Sequence, residues 1–284
     1  MAAKNLYSNA NPLFKPTGAQ MTEALSKLNF RDIGGLPTEA GGFVRSGIFY
    51  RTEGPKNFVG QHLEDLKALG VRAIFDLRSD GERERDPHDW HDDDCQWLAL
   101  DMNTDLRAAD TTEWERLRDD PDPALSQLVM SQNYAAMPGA LLPHWSTLAK
   151  TLLDGAVPAI INCTAGKDRT GVAVGLLLKT VGVTRDAIVA DYLKSDIFGQ
   201  NMVLQGSIEQ GFMESFGFMP NQAAVDALIG VDAVYLLASL DQIETKWGGI
   251  EGYCDAAGVT AAMRTELSRL LTTDTDIVKH EKEI

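Results

Sequence analysis

The apolar positions fall into short runs whose period alternates along the chain. Residues 43–51 hold two extended runs around Gly47, the second being Ile48-Phe49-Tyr50-Arg51. Residues 61–69 put Leu63, Leu66 and Leu69 on one helical face, with Gly70 placed as a C-terminal cap. Residues 71–77 and 95–100 read as further strands, with Cys95 a small buried hydrophobe. Two helices, 124–137 and 139–153, precede a β-branched run at 157–161 that reads as a buried strand. Residues 172–181 are apolar, helix-length and closed by Gly182. Thr184 caps a helix through Asp196, and helices over 223–246 and 260–271 follow. Strand alternating with helix predicts an α/β fold: a mainly parallel central sheet flanked by helices, with functional loops at the carboxyl ends of the strands. The folded domain is 29–271. Residues 1–28 form an arm ending in a short helix over 20–28, and 272–284 form a polar tail.

Composition narrows the partners. The chain has 284 residues, 44% hydrophobic, and a formal charge of −15, so it can fill a core but repels a nucleic-acid backbone. The same field disfavours anionic membranes. Three cysteines without a C-x-x-C pair suggest neither a disulfide framework nor a zinc site and fit a reducing compartment. Neither a conventional secretory signal nor a membrane-spanning run is present, so a cytoplasmic location is expected and no stable membrane insertion. His88, His91, Asp92, Asp93 and Asp94 gather near Trp90, but their spacing fits no metal-ligand template; a solvated loop is expected there, and no metal or other cofactor.

The chemistry concentrates between the 157–161 strand and the 172–181 helix, where Asn162-Cys163-Thr164-Ala165-Gly166-Lys167-Asp168-Arg169-Thr170-Gly171 stands. A loop opening a helix points unpaired N–H groups, and the positive end of the helix dipole, at one spot. That favours an anion, and it favours the thiolate of a cysteine at its base, here Cys163. Arg169 supplies a planar fork for two phosphate oxygens.

Cys163 to Arg169 fits C-x5-R, and the longer Cys-Thr-Ala-Gly-Lys-Asp-Arg-Thr-Gly resembles the bacterial atypical tyrosine phosphatases, some of which also act on phosphoinositides. Residues 29–35 (Asn-Phe-Arg-Asp-Ile-Gly-Gly), 75–79 (Phe-Asp-Leu-Arg-Ser), Asp191-Tyr192-Leu193, and Lys246-Trp247-Gly248-Gly249 leading to Tyr253 resemble the same family.

The resemblance implies a cysteine-phosphatase-like fold with a helical lid insertion and a phosphomonoesterase working through a cysteinyl-phosphate. The substrate would be a phosphorylated protein or a phosphoinositide. Cys163 would be the nucleophile. The backbone of Thr164, Ala165, Gly166, Lys167, Asp168 and Arg169 would bind phosphate, with Arg169 as clamp. Asp168 is the proposed acid, with Asp76 and Asp32 as rivals; alternatively it is a structural partner of Arg31 or Arg78. Thr170 would either bond the Cys163 sulfur or cap the helix. Lys167 would read a second anionic group at the rim or simply be solvated. Arg31 and Asp32 would sit near the loop, or merely pair to fix a turn.

Two features stay open. Asn162 stands where the family usually has His, which leaves an inactive phosphate-binding pseudophosphatase as an alternative; a rhodanese-like sulfurtransferase is a second. Residues 198–220 mix Met202, Met213, Met219, Phe198, Phe212, Phe216 and Phe218 with glycines, fitting either a lid or core packing. Export without a conventional signal, known in family members, also stays open.

Overall fold

A computed structural model describes residues 25–87, 90, 94–102, 104 and 119–273. Its centre is a five-stranded sheet in the order β1 (Arg31–Asp32), β3 (Phe49–Thr52), β6 (Ala159–Asn162), β4 (Ala73–Asp76), β5 (Gln96–Ala99). β3, β6, β4 and β5 run parallel, and only the edge strand β1 is antiparallel. The mainly parallel sheet expected from the alternating runs is present. In register, Asn162 at the end of β6 lies level with Thr52 of β3 and with Asp76 of β4. The loop that follows β6 therefore leaves the sheet between two other strand ends.

Strand alternation divides the core into two faces. Phe49, Ala73, Phe75, Ala159 and Ile161 enter the larger apolar cluster, while Tyr50, Ile74 and Ile160 enter a smaller one with Leu25, Leu28, Phe30, Phe58, Leu66 and Trp90. The smaller face is covered by α1 (Gln61–Lys67) and by the 3-10 turn Leu25–Lys27. α2 (Asp80–Arg85) follows β4.

The larger face is helical. α3 is a single helix, Pro123–Leu153, where two were expected. Pro138 and Pro143 lie inside it. A proline removes the N–H that the carbonyl four residues earlier would have accepted. For Pro138 that carbonyl is Tyr134 O, and Ser239 Oγ donates to it instead at 2.6 Å. Tyr253 Oη meanwhile donates to Pro138 O at 2.9 Å. Ser239 thus replaces the bond lost at Pro138, and the helix continues.

α4 (Asp168–Thr180) is buried without a break from Thr170 to Leu178. It packs against α3, α5 (Arg185–Leu193), α9 (Ala233–Trp247) and α10 (Ile250–Ala256). α6 (Ile197–Leu204), α7 (Ile208–Phe216), α8 (Gln222–Ile229) and α11 (Ala261–Leu271) complete the layer. The helix expected over 223–246 is in fact α8 and α9, which meet at 63°. The break falls at Gly230, and the Asp232 side chain caps the new start by accepting from Val234 N.

The polar tail does not begin at residue 272. Thr272 and Thr273 form β7, paired antiparallel with Phe43 and Val44 of β2. The rest of that tail, and the arm up to residue 24, lie outside the described residues, as does most of the helix expected over 20–28. No single described helix is long and apolar enough to cross a membrane.

The Ser239 contact makes α3 depend on α9. Ser239 is fully buried, so Ser239→Ala leaves Tyr134 O without a donor and should cost about 1–3 kcal/mol. Urea unfolding should show this as a lower midpoint at unchanged slope.

Candidate active site

Cys163 follows β6 directly and is 1% exposed, at the bottom of the 163–169 loop. The loop's shape is set from behind. Gly54 N donates to Thr164 O at 2.8 Å, Asn29 Nδ2 to Ala165 O at 2.8 Å, and Arg51 Nη2 to Gly166 O at 2.9 Å. A planar trans peptide points its C=O and its N–H in opposite directions. Holding these carbonyls outward therefore turns the N–H groups of Ala165, Gly166 and Lys167 to the other side. Among the described residues, no N–H from Thr164 to Thr170 has a hydrogen-bond acceptor; the first helical bond is Gly171 N to Lys167 O. The loop is a cup of unpaired donors at the positive end of α4.

Gly166 makes this path feasible. Its φ is +65°, and a Cβ there would lie 2.5 Å from Thr52 O and Glu53 N. Any other residue would push the loop off the end of β3.

Behind the carbonyls lies a buried ionic cluster. Asp191 of α5 accepts from Arg31 Nε and from Arg51 Nη1, each at 2.8 Å. Ser195 Oγ accepts from both arginines, and Arg31 Nη1 donates to Asn29 Oδ1. Burial pushes the Asp191 carboxyl up, but Arg51 and Arg31 outweigh it and hold it below the usual carboxylate range.

Arg169 is the second residue of α4, and its guanidinium is gripped by a residue the sequence reading did not single out. Glu82 of α2 accepts from Nη1 and Nη2, each at 2.6 Å. Arg169 Nε has no hydrogen bond among the described residues, so that edge of the fork remains available. Glu82 also accepts from Thr164 Oγ1 and from Ser79 N, the latter closing a capping box on α2. Burial raises the Glu82 carboxyl, but Arg169 and then Thr164 and Ser79 more than reverse this and hold it far below its ordinary value. The motif Ser-x-x-Glu at 79–82 was legible as a helix start. Nothing in it announced a partner at residue 169.

A thiol beneath a cup of free N–H groups, with a guanidinium edge beside it, suits a tetrahedral dianion. The comparisons with known proteins agree. A model of the tyrosine phosphatase family matches residues 23–273. The chain belongs to that family. A protein of Cupriavidus necator named as a tyrosine-protein phosphatase is 33% identical over 235 residues, covering 82% of this chain and 83% of its own. The triple specificity protein phosphatase PtpB of Mycobacterium tuberculosis is 31% identical over 265 residues, covering 82% and 92%. A tyrosine-protein phosphatase of Nostoc commune is 27% identical, covering 76% and 71%. The chain is thus a protein-tyrosine phosphatase-like phosphoric monoester hydrolase, and a sulfurtransferase reading falls away.

The remaining family-implied residues divide sharply. Asp168, first in α4, accepts from Tyr134 Oη at 2.5 Å and lies 3.5 Å from Lys167 Nζ. Neither Arg31 nor Arg78 is its partner. Asp76 is fully buried and taken up by Arg78, whose Nε and Nη2 donate to it at 2.9 and 2.8 Å, and by Asn162 Nδ2 at 3.3 Å. Asp32 accepts from Gly34 N and Gly47 N at 2.8 and 2.7 Å, fixing two turns. Both rivals of Asp168 are thereby committed to the framework. Arg31 and Asp32 do not pair with each other: Asp32 fixes its turns alone, while Arg31 reaches the loop through Asn29 and through Asp191.

Lys167 is neither a rim cation nor solvated. Its side chain is 1% exposed, and Nζ donates to Leu228 O and Gly230 O at 2.7 and 2.8 Å. These carbonyls end α8, where the helix dipole favours a cation. Thr170 is buried and its hydroxyl has no partner among the described residues. It neither bonds the Cys163 sulfur nor caps α4, because it is the third helical residue and the N-cap position is Lys167.

Residues 198–220 contain α6 and α7. Phe212 is buried, while Met213 and Met219 are 49% and 42% exposed. Lys56, two residues beyond Gly54, pairs with Glu214 of α7 at 3.2 Å. Cys95 is half-buried at the rim of the smaller cluster rather than within it. His88, His91, Asp92 and Asp93 lie outside the described residues. Lys246 to Tyr253 packs on the core through Trp247 and Tyr253.

Asp191 should tie acid stability to the site. Its folded-state value is depressed, so its contribution is full above the unfolded carboxylate range near pH 4 and is lost as pH falls through the folded value. Asp191→Asn leaves two buried guanidinium groups short of a counter-charge and should cost about 3–5 kcal/mol at neutral pH. The deficit should shrink on acidification, as followed by urea midpoints between pH 7 and pH 3.

Proposed function

We propose that the protein is a cysteine-dependent phosphomonoesterase in which Cys163 is the nucleophile. The observation that carries this reading is the set of unpaired N–H groups from Thr164 to Thr170 around the Cys163 position. In the first step the Cys163 thiolate attacks phosphorus. The loop N–H groups and the free edge of Arg169 take the equatorial oxygens, and the P–O bond to the leaving group breaks. Asp168 protonates the departing oxygen. In the second step Asp168 accepts a proton from water as water displaces the sulfur. The buried hydroxyl of Thr170, without a partner among the described residues, would turn to the departing sulfur.

The proposed substrate is a phosphorylated protein. Lys167, expected at the rim to read either a second inositol phosphate or the carboxylates around a phosphotyrosine, is bound to α8 and serves neither substrate. The similarity to PtpB, named for triple specificity, keeps phosphoinositides in the test panel. Segment 198–220 is proposed as the lid, on the strength of its contact with the turn beside Gly54. A cytoplasmic site of action fits three cysteines without a disulfide.

Cys163→Ser should abolish phosphate release from p-nitrophenyl phosphate while retaining vanadate binding. Arg169→Ala should lower kcat/KM by roughly a hundredfold or more and weaken vanadate as well. Full activity in Cys163→Ser would refute the covalent reading, and wild type that binds vanadate without turnover would make the protein a pseudophosphatase. A phosphotyrosyl peptide should be preferred over a phosphoinositide at equal concentration.

A further inference from the structure

We infer that Tyr134 is a positioning residue for Asp168: it holds Oδ1, so that the proton exchanged with the substrate rides on Oδ2. The inference rests on the proposed role of Asp168 as the acid. Tyr134 lies on α3, and its hydroxyl meets two groups, Asp168 Oδ1 at 2.5 Å and Tyr192 Oη at 2.7 Å. A carboxylate only accepts, so Tyr134 spends its one proton on Asp168 and must accept from Tyr192. The chain of donation runs Tyr192 to Tyr134 to Asp168. Asp168 Oδ2 has no hydrogen-bond partner among the described residues, and the Asp168 side chain is 26% exposed. One oxygen is tied to the protein, and the other has no partner among the described residues.

The hydroxyls have little other freedom. Tyr134 and Tyr192 are 0% and 1% exposed, and their rings meet edge to face at 6.0 Å. The Tyr192 ring also fills the space beside Gly171, where a Cβ would come within 2.8 Å of it. Burial, then the charge of Asp168, raises the Tyr134 hydroxyl well above its ordinary value, so it stays a donor throughout the cycle.

The other charged or titratable groups around Asp168 are Lys167 and Arg169 in its own loop and Tyr235 on α9. Of these only Lys167 lies within ion-pair distance, and its ammonium is also held by α8. Tyr134 is thus the neutral donor that fixes the carboxyl's rotation without adding charge. Proton balance is closed without it. Oδ2 gives its proton to the leaving oxygen as the S–P bond forms and the P–O bond breaks. It regains one from water as the new P–O bond forms and P–S breaks.

The test compares leaving groups, because an acid matters most when the leaving oxygen is most basic. Tyr134→Phe keeps the ring and removes only the donor. It should lower kcat/KM on the order of tenfold for phenyl phosphate and about twofold for p-nitrophenyl phosphate, a part of the effect of a general acid. Vanadate inhibition should be unchanged, which a general loosening of the loop would not allow. Tyr192→Phe should give a smaller split in the same direction. In an Asp168→Asn background, adding Tyr134→Phe should cost nothing further.

If Asp168→Asn shows the leaving-group split and Tyr134→Phe does not, the positioning role is wrong and the acid stands. A full Tyr134→Phe loss persisting in the Asp168→Asn background would also overturn it. If Asp168→Asn shows no split, the acid assignment itself fails and this inference falls with it.

Discussion

The loop depends on the outward tethering of the Thr164, Ala165 and Gly166 carbonyls. A free loop would turn its peptides to pair their own donors and acceptors. Here Gly54 N, Asn29 Nδ2 and Arg51 Nη2 hold the acceptors from behind, and peptide planarity does the rest. The donors stay unpaired because their peptides cannot rotate. Unpaired N–H groups are costly wherever water cannot reach them, and a set of them at one spot gives the loop its appetite for an anion despite a net charge of −15 on the chain.

The tethers are themselves held by charge. Arg51 is 1% exposed and Asp191 2%. Taking such groups out of water is unfavourable unless each finds partners. Arg31, Asp191, Ser195 and the Gly166 carbonyl provide them, so the cluster cannot shift without exposing an unpaired charge. This joins β1, β3 and α5 to the back of the loop and explains why residues far apart in the chain behave as one support. Glu82 acts comparably on the other side: it takes both Nη groups of Arg169 and leaves Nε without a partner among the described residues. The arginine is neither loose nor consumed.

Asp168 is held differently from its two rivals, Asp76 and Asp32. Asp76 and Asp32 have their oxygens committed to Arg78 and Asn162, or to backbone N–H groups. Asp168 has one oxygen held by a neutral hydroxyl and one without a partner among the described residues. That the hydroxyl is on α3, close to Pro138 and beside the Ser239 contact, links the packing of the long helix to the site.

The sequence by itself determined the parallel sheet and the place of the loop, because both are local: alternating short runs separated by helix-length periods, and a C-x5-R run between a strand and a helix. It also marked Asn29, Arg31 and Asp191, though only as members of family-like blocks. It misjudged α3, because a proline reads as a break until the donor replacing its missing N–H is known, and that donor is Ser239. It misread α8 and α9 as continuous for the opposite reason: apolar residues run on either side of Gly230, and the 63° turn between them is set by packing and by the Asp232 cap. Lys167, Asp76 and Thr170 were given roles by their nearness in sequence to Cys163 or to a strand end, whereas a side chain's partner is chosen in space. Only the tertiary structure could decide that Lys167 turns to α8, that Glu82 reaches Arg169 and that Tyr134 meets Asp168, since each contact spans dozens of residues and depends on how whole helices pack.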